Sequence, residues 1–128
     1  SIDMWGKDRL LTTSDVGQLN HPAGTTIFVN MTCLTGLFTH PELESLAEAL
    51  LFQSPGGAVA VLAPTSLTLP GDQSFLSQAL VAGLNAPTPV VIGDVLLQAR
   101  RNIPLNYPGS KDVLLTFLLF GDPALRVR

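Results

Sequence analysis

The sequence holds one thiol, Cys33, and its setting makes it a candidate nucleophile. Residues 25–31 (Thr-Thr-Ile-Phe-Val-Asn-Met) are β-branched and aromatic, which predicts a buried strand. Thr32-Cys33 closes that run, and a loop opens through Leu34, Thr35 and Gly36. In open α/β sheets, ligands bind at the carboxyl ends of the strands. A cysteine there is partly exposed, and a nearby imidazole activates it as thiolate. Its own backbone N–H can serve as an oxyanion donor. The competing expectation for any lone cysteine is a small buried hydrophobe.

The bases available to such a thiol are few. His21 lies in the turn His21-Pro22-Ala23-Gly24 ahead of the strand, which puts it at the opposite end from Cys33. His40 lies further along the loop that starts at Cys33, and otherwise reads as a solvated loop histidine, as His21 does. Among the carboxylates, Asp94 is expected to cap a helix and Asp122 to form a turn. Glu48 falls between apolar neighbours on the helix after the loop, where it either fixes the loop or is a solvated helix charge. No HxxxH or CxxC spacing occurs, so no metal site is expected, and no cofactor is implied.

Charge and hydropathy exclude other classes. The formal net charge is −3. The basic residues are scattered apart from Arg100-Arg101 and the pair Arg126 and Arg128, so no nucleic-acid footprint is expected. No apolar run of about eighteen residues is present to span a membrane. No basic n-region followed by an apolar h-region is visible.

Placing the thiol requires an α/β frame. A short helix is expected with Ser14-Asp15 as its cap, then the strand of residues 25–31. An amphipathic helix follows over Glu42–Gln53, with Leu43, Leu46, Ala47, Leu50 and Leu51 at helical spacing. Ser54-Pro55-Gly56-Gly57 stops it. Residues 58–63 (Ala-Val-Ala-Val-Leu-Ala) lack polar alternation, as in a parallel strand covered on both faces, and strand, helix and strand make a right-handed crossover. Further helices are expected over residues 72–84, 90–102 and 110–120, the last being also readable as a strand because short apolar runs are ambiguous. Two strands are too few for an independent sheet. Hydrophobic residues make up 46% of the 128 and charged residues 13%, which is apolar for a domain of this size. The first residue is Ser1, with no strand or helix signal before Trp5. Together these lead to the expectation that the chain is cut from a longer polypeptide, with an upstream portion supplying more strands.

Several stretches together resemble the gingipain-type cysteine peptidases, peptidase family C25. They are Asn30-Met31-Thr32-Cys33-Leu34-Thr35-Gly36-Leu37-Phe38, then Ser45-Leu46-Ala47-Glu48-Ala49-Leu50, then Gly56-Gly57-Ala58-Val59-Ala60, Ile92-Gly93-Asp94 and Phe120-Gly121-Asp122-Pro123-Ala124-Leu125. The resemblance spans nearly the whole chain, in order. It implies a caspase-like three-layer α/β/α sandwich, of which residues 1–128 would be the C-terminal, nucleophile-bearing portion. It also implies a Cys–His dyad with Cys33 as nucleophile and its amide as an oxyanion donor. In the family, the histidine lies in a Gly-His-Gly turn commonly followed by a Ser and then a Trp. Ser1 and Trp5 match those followers, which would put the histidine before Ser1. Trp5 then either packs over the site's rim or covers the core. The loop holding Thr65 and Ser66 matches one that shapes the S1 pocket, and it carries no acidic group to read a basic side chain.

The reading is therefore a cysteine endopeptidase portion acting on peptide or protein substrates. Its remaining expectations are an isolated chain inactive without its base, partnered by the missing half of its domain or by self-association, and a secreted or cell-surface setting implied by the resemblance. The alternative is a catalytically inactive caspase-like scaffold kept for binding.

Overall fold

A computed structural model describes residues 1–21 and 26–127. Pro22 to Thr25, which hold most of the expected His21–Gly24 turn and the start of the expected strand, lie outside the described residues. In chain order the elements are β1 (Met4–Trp5), β2 (Leu11–Thr12), α1 (Thr13–Val16), β3 (Ile27–Val29), α2 (Leu46–Phe52), β4 (Ala60–Pro64), α3 (Pro70–Leu84), β5 (Val90–Val91), α4 (Ile92–Arg101), α5 (Ser110–Thr116), β6 (Phe117–Gly121) and β7 (Arg126–Val127). They fall into two units, Ser1–Leu67 with Thr116–Gly121, and Thr68–Leu115 with Asp122–Arg128.

The first unit is built on a three-stranded sheet in the order β3-β4-β6. β3 and β4 run parallel, with Ile27 opposite Ala60 and Val29 opposite Leu62. β4 and β6 run antiparallel, from Ala60 opposite Gly121 to Pro64 opposite Phe117. Every residue of β4 is buried, which explains its unbroken apolar run: a central strand has no solvent face. The expected helix over residues 110–120 is corrected, and with it the two-strand core. The backbone is helical only to Thr116 and then becomes β6. The ladder with β4 satisfies this strand's backbone groups, and Phe117 is fully buried. A short apolar run fits either period, so pairing partners decided what local sequence did not.

α2 begins at Leu46, later than the apolar spacing suggested, because Ser45 caps it. The Ser45 hydroxyl accepts the Glu48 N–H at 3.3 Å, and Glu48 Oε2 accepts the Ser45 N–H at 2.9 Å. This Ser-x-x-Glu capping box, which the expected span of Glu42–Gln53 did not take into account, sets the start. Leu43 therefore falls outside the helix and is exposed, whereas Leu46, Ala47 and Leu50 are buried against the sheet. Burying each of those leucines contributes roughly 1.5–3 kcal/mol. Val61 and Ala63 of β4 face this helix, and Trp5, Phe28 and Phe120 close the cluster's margin.

Two short elements ahead of the sheet had no sequence signal. β1 and β2 pair antiparallel, Met4 with Thr12 and Trp5 with Leu11. Thr12, rather than Ser14, then caps α1 in a second capping box with Asp15.

In the second unit, α3 starts at Pro70, a residue suited to a first helical turn because its missing N–H would be unpaired there anyway. Leu76 and Leu80 of α3 and Ile92, Val95, Leu96 and Ala99 of α4 are buried, and the two helices pack together. Phe75 meets Tyr107 edge to face at 5.0 Å between centroids. The expected helix over residues 90–102 loses its first two residues to β5, which pairs with β7. Asp94 stands in the first turn of α4, but the cap position is Val91 and makes no side-chain cap bond, so the capping expectation for Asp94 is corrected. Asp122 does form its turn: its Oδ1 accepts the Ala124 N–H at 2.8 Å and its carbonyl accepts the Leu125 N–H at 3.1 Å. Among the described residues, no helix is long and apolar enough to cross a membrane.

Candidate active site

Cys33 lies just past the carboxyl end of β3 and is half-buried. Its loop is seated on the carboxyl end of β4. The Leu34 N–H donates to the Ser66 carbonyl at 3.3 Å and the Gly36 N–H to the Pro64 carbonyl at 3.0 Å. The two parallel strands thus deliver the thiol and the loop at Thr65 and Ser66 to the same edge of the sheet. Gly36 permits the close approach: a Cβ there would stand 2.9 Å from Phe120 Cε2 and 3.1 Å from the Ala63 carbonyl oxygen.

The turn itself is strained. Leu34, next to the thiol, has φ +70°. A residue with a side chain pays about 1–2 kcal/mol for that left-handed conformation. Three backbone bonds outweigh this cost: the two to β4's extension, and the Leu37 N–H to the Leu34 carbonyl at 3.0 Å. Thr35, fully buried, adds a fourth bond from its hydroxyl to the Thr32 carbonyl at 3.1 Å. Its carbonyl accepts the Ala47 N–H of α2 at 2.9 Å. The sequence reading passed over Thr35; the signal available was a hydroxyl residue placed to bond back along a tight turn.

Glu48 sits in the first turn of α2, and its carboxylate is committed to Ser45, whose hydroxyl donates to it at 2.7 Å. It fixes the start of the helix, and the helix in turn holds the loop through Ala47. The Thr65 hydroxyl and N–H both donate to the Thr116 carbonyl, at 3.1 and 2.9 Å. Ser66 is exposed, and its carbonyl holds Leu34. Trp5 is half-buried against the apolar cluster.

Neither histidine is arranged as a base for the thiol. His21 Nδ1 lies 3.3 Å from the hydroxyl of Thr26, at the start of β3 and so at the strand's other end. His40 Nδ1 accepts the N–H groups of Glu42 and Leu43 at 3.2 and 3.0 Å. Both bonds use Nδ1 as acceptor and so engage its lone pair with the backbone of its own loop. Among the described residues, no group of three or more His, Cys, Asp or Glu could hold a metal ion.

Two solved structures share this fold over the whole chain. A complex of Porphyromonas gingivalis RgpB pro- and mature domains matches with a TM-score of 0.87 at 26% identity, covering 100% of this chain and 32% of that one. The Arg-specific cysteine proteinase gingipain R matches with a TM-score of 0.78 at 27% identity, covering 100% of this chain and 31% of that one. The chain thus spans about a third of the length of the structures it matches. No curated protein matches. The α/β class holds, and the caspase-like description fits this family. Residues 1–128 match the model of peptidase family C25, and the chain belongs to that family of cysteine peptidases.

Proposed function

We propose that this chain carries the nucleophile of a cysteine endopeptidase, with Cys33 as the attacking thiol and a histidine outside residues 1–128 as the general base. The observation that carries the reading is the half-buried thiol on a strained turn at the carboxyl edge of two parallel strands. The base takes the Cys33 proton, and the thiolate attacks the peptide carbonyl carbon. The Cys33 N–H stabilises the oxyanion. The C–N bond breaks as the imidazolium returns its proton to the leaving amine, and water hydrolyses the thioester.

An outside base is supported by the commitments of His21 and His40 and by the chain's coverage of about a third of the matched structures. On this reading residues 1–128 form part of one catalytic domain. The unpaired edge of β3, which meets only β4 among the described strands, receives the rest of that domain or a second copy. Thr65, Ser66 and Trp5 are proposed to line the substrate side, Glu48 to support the loop, and the setting to be secreted or cell-surface, as for the gingipain-type family.

The test is cleavage of a mixed peptide library by the intact protein, with and without Cys33→Ala. Activity is expected to vanish in the variant, and iodoacetamide is expected to alkylate Cys33 of the unmodified protein faster at neutral pH than it does an ordinary thiol. Full cleavage by the variant overturns the reading. Absence of both cleavage and fast alkylation in the unmodified protein indicates the binding scaffold instead.

A further inference from the structure

The Thr35 side chain holds the turn bearing Cys33 from within, and we propose that it is a positioning residue that aims the oxyanion donor. The proposal rests on the peptidase reading above. The Thr35 hydroxyl donates to the Thr32 carbonyl at 3.1 Å, closing over Cys33 and Leu34. The Thr32 carbonyl and the Cys33 N–H belong to one peptide unit, which is planar and trans, so the two groups point in opposite directions. Drawing the carbonyl toward Thr35 turns the Cys33 N–H away from the clasp and fixes its direction. That N–H is the donor the peptidase reading assigns to the acyl oxygen.

Two observations favour positioning over plain packing. Leu34 at φ +70° keeps its conformation only where its surroundings over-determine it. The bonds to Ser66 and Pro64 anchor the turn on the β4 side and do not touch the Thr32–Cys33 peptide unit. Thr35 does, and its own place is set independently by the Ala47 N–H on its carbonyl at 2.9 Å and by complete burial. A valine would fill the same volume, so what the hydroxyl adds is this one bond.

The experiment compares Thr35→Val and Thr35→Ser in the intact protein, reading kcat, KM and the rate of Cys33 alkylation by iodoacetamide. Alkylation is displacement at a saturated carbon and develops no oxyanion, so it reports on the thiol alone. Thr35→Val is expected to lower kcat about 10–100-fold, somewhat less than outright loss of an oxyanion donor. KM and the alkylation rate should stay within about threefold, the signature of an interaction made in the transition state. Thr35→Ser is expected to restore kcat. An unchanged kcat in the valine variant, alkylation falling in step with kcat, or serine performing no better than valine overturns the proposal. If the valine variant does not fold, Thr35→Ala removes the same bond without the branched methyl groups. There kcat should fall while alkylation persists, and an unchanged kcat overturns the proposal. Failure of the underlying peptidase reading shows separately, as cleavage that survives Cys33→Ala.

Discussion

Ala47 donates its backbone N–H to the carbonyl of Thr35 at 2.9 Å, joining the first turn of α2 to the loop that carries Cys33. The start of that helix is set by Ser45 and Glu48, whose side chains are engaged with each other. The loop's placement is therefore coupled to a helix cap, with the helix backbone as the link.

Ser45→Ala tests the coupling. It removes the hydroxyl that accepts the Glu48 N–H and donates to the Glu48 carboxylate, and Ser45 is fully buried. The expected loss is about 1–2 kcal/mol, the upper part of the range for N-cap removal. Urea unfolding measures it, and hydrogen exchange at the Ala47 amide should speed up alongside. A loss near zero would mean that packing of Leu46 and Leu50 alone fixes the helix start.

Asp15 gives the chain an acid-sensitive element. Its carboxyl is held below the ordinary aspartate range, first by the Thr12 hydroxyl and then by the Thr12 N–H, with Arg9 a smaller contribution. The hydroxyl donates at 2.7 Å and the N–H at 2.9 Å. Since the folded value is depressed, the capping contribution is complete above the unfolded value of about 3.9 and disappears as pH falls through the lower, folded value. A carboxyl carbon titration followed by NMR should place the Asp15 midpoint below that of a free aspartate, and Thr12→Val should move it back up. A midpoint that ignores the substitution would remove Thr12 as the cause.

What the sequence makes legible depends on whether the information is local. β4 announced itself as an unbroken apolar run, and α4 placed Ile92, Val95, Leu96 and Ala99 on one face, all four of them buried. Phe117–Gly121 did not announce itself, because nothing within the run says that Ala60–Pro64 is waiting to pair with it. The two-residue strands Met4–Trp5 and Val90–Val91 are too short to show any period. At the site, the position of Cys33 past a strand was readable from composition, but the expected burial was not met: Ile27, Phe28 and Val29 of the edge strand β3 are half-buried. The left-handed Leu34 was not readable, since leucine rarely adopts that conformation and only the surrounding hydrogen bonds impose it.

Gly36→Ala should separate the loop from the strand beneath it. The added methyl meets a ring carbon of Phe120 at 2.9 Å and both Cβ and the carbonyl oxygen of Ala63 at 3.1 Å. The Phe120 ring can shift, but the Ala63 backbone belongs to the fully buried β4 and cannot. A loss of about 1–3 kcal/mol is expected, as for overpacking of a filled interior. The Gly36 N–H to Pro64 bond should weaken with it, so amide exchange at residue 36 should rise more than at residue 62. Equal exchange at both positions would show that the strain spreads through the sheet instead of lifting the loop.

Asn30 presents the opposite case, a residue whose removal should help. It follows β3 directly, just ahead of Thr32-Cys33, and is fully buried, and its N–H donates to the Leu62 carbonyl at 2.8 Å. Neither Oδ1 nor Nδ2 of its side chain has a hydrogen-bond partner among the described residues. A buried amide left in that state costs about 1–3 kcal/mol, while an apolar side chain of similar volume carries no such penalty. Asn30→Leu is therefore expected to stabilise the 128-residue chain by about 1 kcal/mol in urea unfolding, less than the full penalty because a tetrahedral Cγ replaces a planar amide carbon and fits the cavity imperfectly. Destabilisation of that size or more would mean that a bound water satisfies the amide within this chain. The same substitution in the intact protein tests for a partner from outside, which would make a loss appear only when the rest of the protein is present.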